Sequence, residues 1–488
     1  MQTGELVKSL EAIVGRDAVF HHPDDLFVFE YDGSIDKAFP LAVVLPANTQ
    51  QVSRVVALAC KAGVPIVPRG AGTGLSAGAI PVQGGIQIVL TRMNKILEID
   101  TVNRLAVVEP GVANLALDIE AHKHGLRYAP DPSSQRVCTI GGNVAENAGG
   151  PHCLALGVTT NHVLGLEVVL EDGAVTWLGG VTQDCPGYDL RGAFIGSEGT
   201  FGITTRIVVR LLPLPEAIKT LLAIFPDVDS CSTAVSSIIG HGIVPATLEM
   251  MDASMVKAVQ TALKMGYPED AGAVLLIELE GLREDIAETA QEVDSILRET
   301  GATEVRSAED AKERERLWQG RKGALGALGS LAPNYYLVDG VVPRTRLPEA
   351  LREVARISQR YNTPIANLLH AGDGNLHPCI LFDEREPGAL KKVVEMGGEV
   401  IKACVALGGV PTGEHGVGLE KAEYLPLVFT PDDLETMVKV KRAYSPRELF
   451  NPGKIFPGGE KLAPGSDRGL APAAQRQAIA RAGPDATV

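Results

Sequence analysis

The sequence predicts an α+β protein built from more than one domain, and three observations carry that reading. The chain has 488 residues, and at roughly ~150 residues per domain it should fold as about three. Residues 41–210 alternate short apolar strands with glycine-rich turns. Beyond them, KTLLAIF, DSCSTAVSSIIGHG and TLEMMD read as strand, helix and strand, and AVLLIELEG, EDIAETAQEVDSILRET and TEVRSA repeat the pattern. Two such units in a row suggest a ferredoxin-like sandwich, with helices on one side of its sheet.

Taken in order, residues 1–39 form a lead-in, with a helix over Glu5–Ile13 and then loop. The first domain spans 40–215. Its LAVVLP reads as a strand, VSRVVALACKAG as a helix ended by Gly63, and VPIVP as a strand. IQIVL, AVVEPG, LGLEVVLEDG and ITTRIVVRLLP follow as strands, and Pro213 and Pro215 close the unit. The second domain spans 216–420. There YYLVDGVVP, the helix LPEALREVARISQRY, IANLLH and LHPCILF extend the sheet, and a helix over Leu390–Leu407 leads to GEHG. A C-terminal segment, 421–458, follows. Residues 459–488 carry no apolar periodicity, and disorder is expected there.

Composition excludes several classes. A chain of this size buries roughly three quarters of its unfolded surface, so its core needs no disulfide or metal. The net charge of −15 and the absence of a long basic run argue against nucleic acid. No run of about 18 apolar residues is present to span a membrane. MQTGELVKSLEAIVG has no apolar signal core. The seven cysteines are scattered, without a CxxC pair, which disfavours an iron–sulfur ligand set and a disulfide framework. A reduced, cytoplasmic, globular protein is expected.

The first glycine loop, PRGAGTGLSAG at 68–78, contains a GxGxxA match from Gly72 to Ala77. A dinucleotide fingerprint needs a helix to open at once behind it. Here Pro81, Gly84 and Gly85 intervene and the next element is a strand, so a Rossmann NAD site is rejected. Four glycines in eleven residues instead let backbone N–H groups approach an anion. APDPSSQRVCTIGGNVAENAGG (129–150) and GSEGTFGI (196–203) are further glycine loops. Three from one domain can wrap a long, extended cofactor.

The other informative segments are HAGDGNLH (370–377) and GEHG (413–416). IANLLH and LHPCILF flank a short glycine-containing turn. Paired as a hairpin, they put His370 and His377 at one end, within reach of one ion at ~2.1 Å. Glu414 adds an oxygen ligand. Two nitrogens and one carboxylate leave coordination positions open, as a catalytic site needs. Zn²⁺ is the first choice; Mn²⁺, Co²⁺ and Fe²⁺ fit the same donors. A buried histidine is more often a core residue than a ligand, and a Gly-Asp-Gly turn is ordinary; the adjacent Glu414-His415 weighs against that reading.

The three loops resemble the FAD-binding domain of the vanillyl-alcohol oxidase / p-cresol methylhydroxylase superfamily, and the resemblance extends over roughly 40–457, ending at NPGK (451–454). HAGDGNLH and GEHGVG are similar to the flavin-linked D-2-hydroxy-acid dehydrogenases, including D-lactate dehydrogenases. LWQGRKGALGALG, PNYYLVDGVVPR and HAGDGNLHPCILFD look most like the FAD subunits of bacterial glycolate oxidases. The resemblance implies a two-part FAD-binding domain over 40–215, a ferredoxin-like cap carrying substrate and metal over 216–420, and a return of 421–458 to the flavin. It implies that Arg69, Gly70, Ala71, Gly72, Thr73, Gly74 and Gly78 lie near the pyrophosphate. Pro130, Asp131, Gly141, Gly142, Asn143 and Gly149 would follow the flavin and ribityl chain, with Ile203 toward the adenine and Asn451 returning to the flavin. Relatives that attach FAD covalently from the first loop carry histidine where this chain has Thr73, so FAD is expected without a covalent bond.

The resemblance also assigns roles. A 2-hydroxy acid is expected to chelate the ion, which lowers the pKa of its hydroxyl. His415 is the expected general base, for either the hydroxyl or the C2 proton. FAD accepts the C2 hydrogen. Arg321 in WQGRKG matches the family's carboxylate-binding arginine, and a guanidinium binds a carboxylate through paired hydrogen bonds; the competing reading is a surface arginine on a charged helix. Tyr336, with Tyr335, is an expected pocket wall. Relatives acting on 2-hydroxyglutarate carry lysine where this chain has Leu337 and asparagine where it has Cys379. Leu337 and Cys379 would leave a second carboxylate unpaired, so glycolate or D-lactate is expected. Lacking cluster-binding cysteines, the chain is expected to pass electrons to a partner. Related oxidases use a second flavin-domain subunit and an iron–sulfur subunit at the membrane. The competing reading is a non-catalytic flavin-binding subunit. Oligomeric state is not legible in the sequence.

Overall fold

A computed structural model describes residues 3–182 and 186–458; the tail expected to be disordered, 459–488, and Cys185 lie outside them. The chain packs as two units. Among the described residues, one comprises 3–149, 158–182, 186–214 and 414–458, the other Gly150–Gly157 and Pro215–Gly413. No helix among the described residues is long and apolar enough to cross a membrane.

The first unit holds two principal sheets. In the smaller, Ala42–Val44, Ile86–Val89 and Ile66–Arg69 run parallel, with Val19–Phe20 antiparallel at one edge. Parallel strands need covered faces. Helices Thr3–Val14 and Thr49–Ala62 supply Leu6, Leu10, Val52, Val55, Val56 and Ala59 to the core over Ile66, Ile86 and Ile88. Helix Thr49–Ala62 starts where Asn48 accepts from Gln51 N and stops at Gly63, whose φ of 67° suits glycine. Phe450 bridges Ile66 in parallel, so the chain's last described stretch completes this sheet. The larger sheet is antiparallel, in the order Ile96–Asp100, Leu105–Val108, Ile203–Arg210, Val163–Val169, Val175–Gly179.

The second unit is one antiparallel sheet. Its strands are β1 (Ala217–Phe225), β2 (Thr247–Asp252), β3 (Ala273–Gly281), β4 (Glu304–Ser307), β5 (Asn334–Leu337), β6 (Gly340–Val341), β7 (Ile365–His370) and β8 (Asn375–Phe382). The spatial order is β4-β1-β3-β2-β7-β8-β5, with β6 also on β8. Strands β1 to β4 therefore lie 4-1-3-2, the ferredoxin-like arrangement. The second half repeats the theme and joins edge to edge through β2 and β7.

Helices cover both faces of this sheet, not one as the sequence suggested. Helices α1 (Val228–Gly240), α3 (Arg283–Glu299), α6 (Leu347–Tyr361) and α7 (Ala389–Ala406) pack on one face. On the other, α2 (Ala253–Leu263), α4 (Ala311–Lys322) and α5 (Ala324–Ala327) seal Leu222, Met251, Leu276, Leu368, Cys379 and Leu381 with Met255, Val259, Trp318 and Ala324. Neighbouring strand residues on both sides of the pleat are apolar, so each face needs a cover.

Glu278 of β3 is a wholly buried acid on this second face. It accepts from Thr220 Oγ1 (2.6 Å), Arg314 Nε and Nη2 (2.8 and 2.7 Å) and Trp318 Nε1 (2.8 Å), with His152 Nε2 at 3.4 Å. Burial pushes its carboxyl up, but the Arg314, His152 and Thr220 contacts outweigh burial and hold it well below the usual range. A depressed folded pKa stabilises the fold above the unfolded value of 4.5, and that contribution is lost as pH falls through the folded value. Glu278→Gln should cost about 1.5–3 kcal/mol in urea unfolding at neutral pH, because it removes the charged acceptor of the part-exposed Arg314. A loss under about 1 kcal/mol would show that the pair adds no more than a surface bridge.

Candidate active site

In the first unit the three glycine loops converge. Arg69 ends strand Ile66–Arg69, is 7 % exposed and donates from Nη1 to Tyr31 O at 2.7 Å. Gly72 has φ 71° and carries its backbone over that guanidinium, where a Cβ would collide with it. A Cβ on Gly78 would stand 2.7 Å from Glu146 Oε1, and one on Gly70 would collide with Thr139 Oγ1. The first loop thus lies against the second. The second is not all loop: Ile140–Glu146 is a helix, with Thr139 Oγ1 accepting from Gly142 N. Gly141, Gly142 and Asn143 are therefore helical. Asn114, which the sequence reading missed, donates to both Pro130 O (2.9 Å) and Asn143 Oδ1 (3.1 Å). Asp131 is half-buried and Gly149 buried in the same loop. The third loop hydrogen-bonds to the helix through Gly196 N to Val144 O and Glu198 N to Ala145 O. Ile203 sends its side chain into the core with Val169, so only its backbone can face a cofactor.

Asn451 stitches these loops together. Its Nδ2 donates to Gly78 O (2.8 Å) and Glu198 O (2.7 Å), and its N donates to Ile66 O (2.7 Å). Lys454, also missed, is 1 % exposed and donates to Ala77 O, Gly78 O and Ile80 O at 2.7, 3.1 and 2.8 Å. Burial lowers its pKa to about 8. The hydroxyls of Ser76 and Ser197, at the first and third loops, are buried without a hydrogen-bond partner among the described residues. Buried polar atoms rarely go unsatisfied, and orphans beside glycine-lined backbone fit a bound dinucleotide cofactor. Ala71, Thr73 and Gly74 complete the first loop, half-buried.

Glu414 and His415 open the last stretch of this unit, their carboxylate and Nε2 3.9 Å apart. The backbone after them is pinned. Glu198 accepts from Val417 N (2.8 Å) and Gly418 N (2.6 Å), and Leu419 N donates to Ser76 O (2.9 Å). Gly416 has φ 87° and its Cα faces the Glu146 and Glu198 carboxyls. Burial, then the neighbouring Glu198, pushes Glu146 well above the ordinary carboxyl range.

In the second unit β7 and β8 form the expected hairpin, His370 pairing with Asn375 and Leu368 with His377. Both histidines fall on one face, 3 % and 5 % exposed, ring centroids 5.0 Å apart and perpendicular. Glu249, directly across the ladder from His370 on β2, is wholly buried. His370 Nδ1 donates to its Oε1 at 2.7 Å, and Arg321 Nε donates to its Oε2 at 2.5 Å. Burial raises the Glu249 carboxyl, but Arg321 and His370 outweigh it and the net shift is downward. Asp339 stands behind His377, Oδ1 to Nδ1 3.9 Å, and its Oδ2 accepts from Thr412 Oγ1 (2.6 Å) and Gly413 N (3.0 Å). Glu249 and Asp339 escaped the sequence reading. The signal for Glu249 was an acid between Leu248 and Met250 in the strand TLEMMD, which demands a partner once buried.

Arg321 is 6 % exposed in the last turn of α4, not a surface residue of a charged helix. Tyr336 is corrected as a pocket wall. It pairs with Ile380 while Leu337 pairs with Cys379, so Tyr336 faces away from the histidines. Its ring packs on Gly397 of α7, where a Cβ would stand 2.5 Å from Cε1. Tyr335, one residue earlier and 39 % exposed, takes the histidine face. Two imidazoles on one hairpin fit a divalent ion: Glu249 holds the His370 ring through Nδ1 and leaves its Nε2 as the ligand atom, while Asp339 stands 3.9 Å from Nδ1 of His377.

Comparison with known proteins bears on the fold and the flavin cofactor. Residues 40–179 match the FAD binding domain family and 214–455 the C-terminal domain of FAD linked oxidases. The glycolate oxidase subunit GlcD of Escherichia coli K12 is 46 % identical over 457 residues, covering 93 % of this chain and 91 % of that protein. A D-lactate dehydrogenase of Anaerostipes hadrus is 33 % identical over 428 residues, 86 % of this chain and 90 % of that one. The structure of p-cresol methylhydroxylase with substrate bound superposes with a TM-score of 0.77 at 18 % identity, covering 93 % of this chain and 96 % of that one, a likeness of fold. With the glycine loops assembled around orphaned hydroxyls in one unit and a histidine hairpin in the other, the chain belongs to the FAD-linked oxidases and is an FAD-dependent oxidoreductase.

Proposed function

We propose that the chain oxidises a small 2-hydroxy acid, glycolate to glyoxylate first, with D-lactate to pyruvate as the second reading. The observation that carries this is the buried His370–His377 hairpin with Glu249 and Arg321 behind it, in a chain 46 % identical to a glycolate oxidase subunit. When bound, FAD supplies the two-electron acceptor and a divalent ion the positive charge that favours an ionised hydroxyl. His370 and His377, with Glu414 from the residue after Gly413, hold the ion. Arg321 offers its Nη groups to the substrate carboxylate, its Nε being spent on Glu249. His415 takes a proton from the hydroxyl or from C2. FAD sits without a covalent bond, because Thr73 offers no attachment. Electrons leave to a protein partner, for which a flavin-domain subunit and an iron–sulfur subunit are the candidates.

Anaerobic addition of glycolate should bleach the visible flavin band, and a chelator should prevent it. No bleaching with glycolate, D-lactate or any other 2-hydroxy acid leaves only a non-catalytic flavin subunit. Rapid stoichiometric peroxide formation by the isolated chain would count against a protein acceptor.

Substrate size follows from Leu337 and Cys379, paired across β5 and β8 on the histidine face. Cys379 is fully buried, and burial pushes its thiol far up, Arg321 acting in the opposite direction. Such a surface gives a second carboxylate no partner. The double variant Leu337→Lys, Cys379→Asn should raise kcat/KM for D-2-hydroxyglutarate relative to glycolate about 10–100-fold, since a hydrogen bond to a charged group contributes about 1.5–3 kcal/mol. An unchanged ratio would place the specificity elsewhere.

A further inference from the structure

We propose that Glu249 is the positioning residue of the site: one buried carboxylate that orients the metal-binding His370 and the substrate-binding Arg321 together, and so couples ion affinity to substrate affinity. The inference rests on the metal-dependent reading above.

The ladder dictates the first half. Glu249 and His370 are direct partners across β2 and β7, and such residues hold their Cβ atoms ~5 Å apart on one face. An ionised carboxylate only accepts, so the hydrogen bond at 2.7 Å puts the proton on His370 Nδ1 and turns Nε2 outward as the lone-pair atom. Thr247 Oγ1, 3.2 Å from Oε1, steadies the carboxylate on that side.

Helix α4 supplies the second half. Its last turn delivers Arg321 Nε to the other oxygen, at 2.5 Å. Each oxygen of Glu249 thus serves a different functional group. With Glu249 fully buried and Arg321 and His370 nearly so, water cannot substitute for a missing partner. A guanidinium held by Nε retains only rotation about its chain, so its Nη edge is presented at a fixed angle. Asp339 does not share this double task, because its second oxygen accepts from the Thr412 hydroxyl and Gly413 N.

The test uses the FAD-loaded, metal-stripped full chain. Zinc affinity is measured without substrate, by competition with a chromophoric chelator. Steady-state constants for glycolate are then taken at saturating zinc. Glu249→Gln keeps the size but turns a donor toward Arg321. It should weaken zinc about 10–100-fold, the usual effect of losing a residue behind a metal-binding histidine, and raise KM far more than it lowers kcat. Arg321→Lys should raise KM with zinc affinity unchanged. Thr247→Val is a mild change that keeps the fold should Glu249→Gln not express; it should weaken zinc by a few-fold. Zinc affinity and KM at wild-type values in Glu249→Gln, or in Thr247→Val where only that variant folds, overturn the positioning role alone. A wild-type chain that takes up none of Zn²⁺, Mn²⁺, Co²⁺ and Fe²⁺ removes the metal reading and this inference together.

Discussion

Replacing His415 with asparagine is expected to lower kcat about 10²–10⁴-fold, the range for a general base, with zinc and FAD still bound. The reason lies in what holds the segment. Its backbone is fixed by Glu198 on Val417 and Gly418, by Ser76 on Leu419, and by the close approach of Gly416 to Glu146. None of these contacts uses the imidazole of His415. Asparagine keeps a polar side chain on that pinned backbone, so Glu414 is expected to stay in place. Metal analysis and the flavin spectrum check the retained ligands, and steady-state rates the loss. A variant that loses zinc along with activity would mean that His415 is itself a ligand.

The second large effect is expected from the proposed ion. His377→Ala, or exhaustive chelation of the wild type, should reduce turnover by about 10³-fold or more. Polarisation by a metal is worth several kcal/mol, and each 1.36 kcal/mol is about tenfold in rate. FAD should stay in place, because the residues that would hold it and the histidines belong to different units. Zn²⁺ or Mn²⁺ should restore the chelated protein but not His377→Ala. Full activity after verified removal of the metal would assign the histidines a structural task.

Much of this was legible in the chain. Periodicity and caps disclosed helix Thr49–Ala62, and the short turn between two apolar runs disclosed the His370–His377 hairpin. Helix Ile140–Glu146 was hidden because two glycines near its start lower helix propensity, while the Thr139 cap that favours it reads as ordinary loop. Tyr336 failed for a different reason. Strand parity has period two, so a one-residue error selects the wrong face, and YYL offers aromatics in both phases. Glu249 and Lys454 were out of reach for a third reason. Their partners lie 121 residues away at His370 and 377 away at Ala77, and local pattern carries no record of such pairings. The helices on both faces of the sheet follow from strands apolar in both phases, a signal present in AVLLIEL but easily taken for a single buried face.

The β-bridge between Phe450 and Ile66, with Asn451 and Lys454 behind it, bears on how the protein is made. The edge of the first sheet and the first glycine loop are completed by residues nearly four hundred positions downstream. On the ribosome, which adds about 5–20 residues per second, the early strands wait tens of seconds for their last partner. During that wait a whole second unit, Pro215–Gly413, is synthesised and can fold first. Flavin loading is then a closing event of biogenesis. An early stop near residue 445 would leave an exposed strand edge and a dependence on chaperones, although every residue of the hairpin site was already in place.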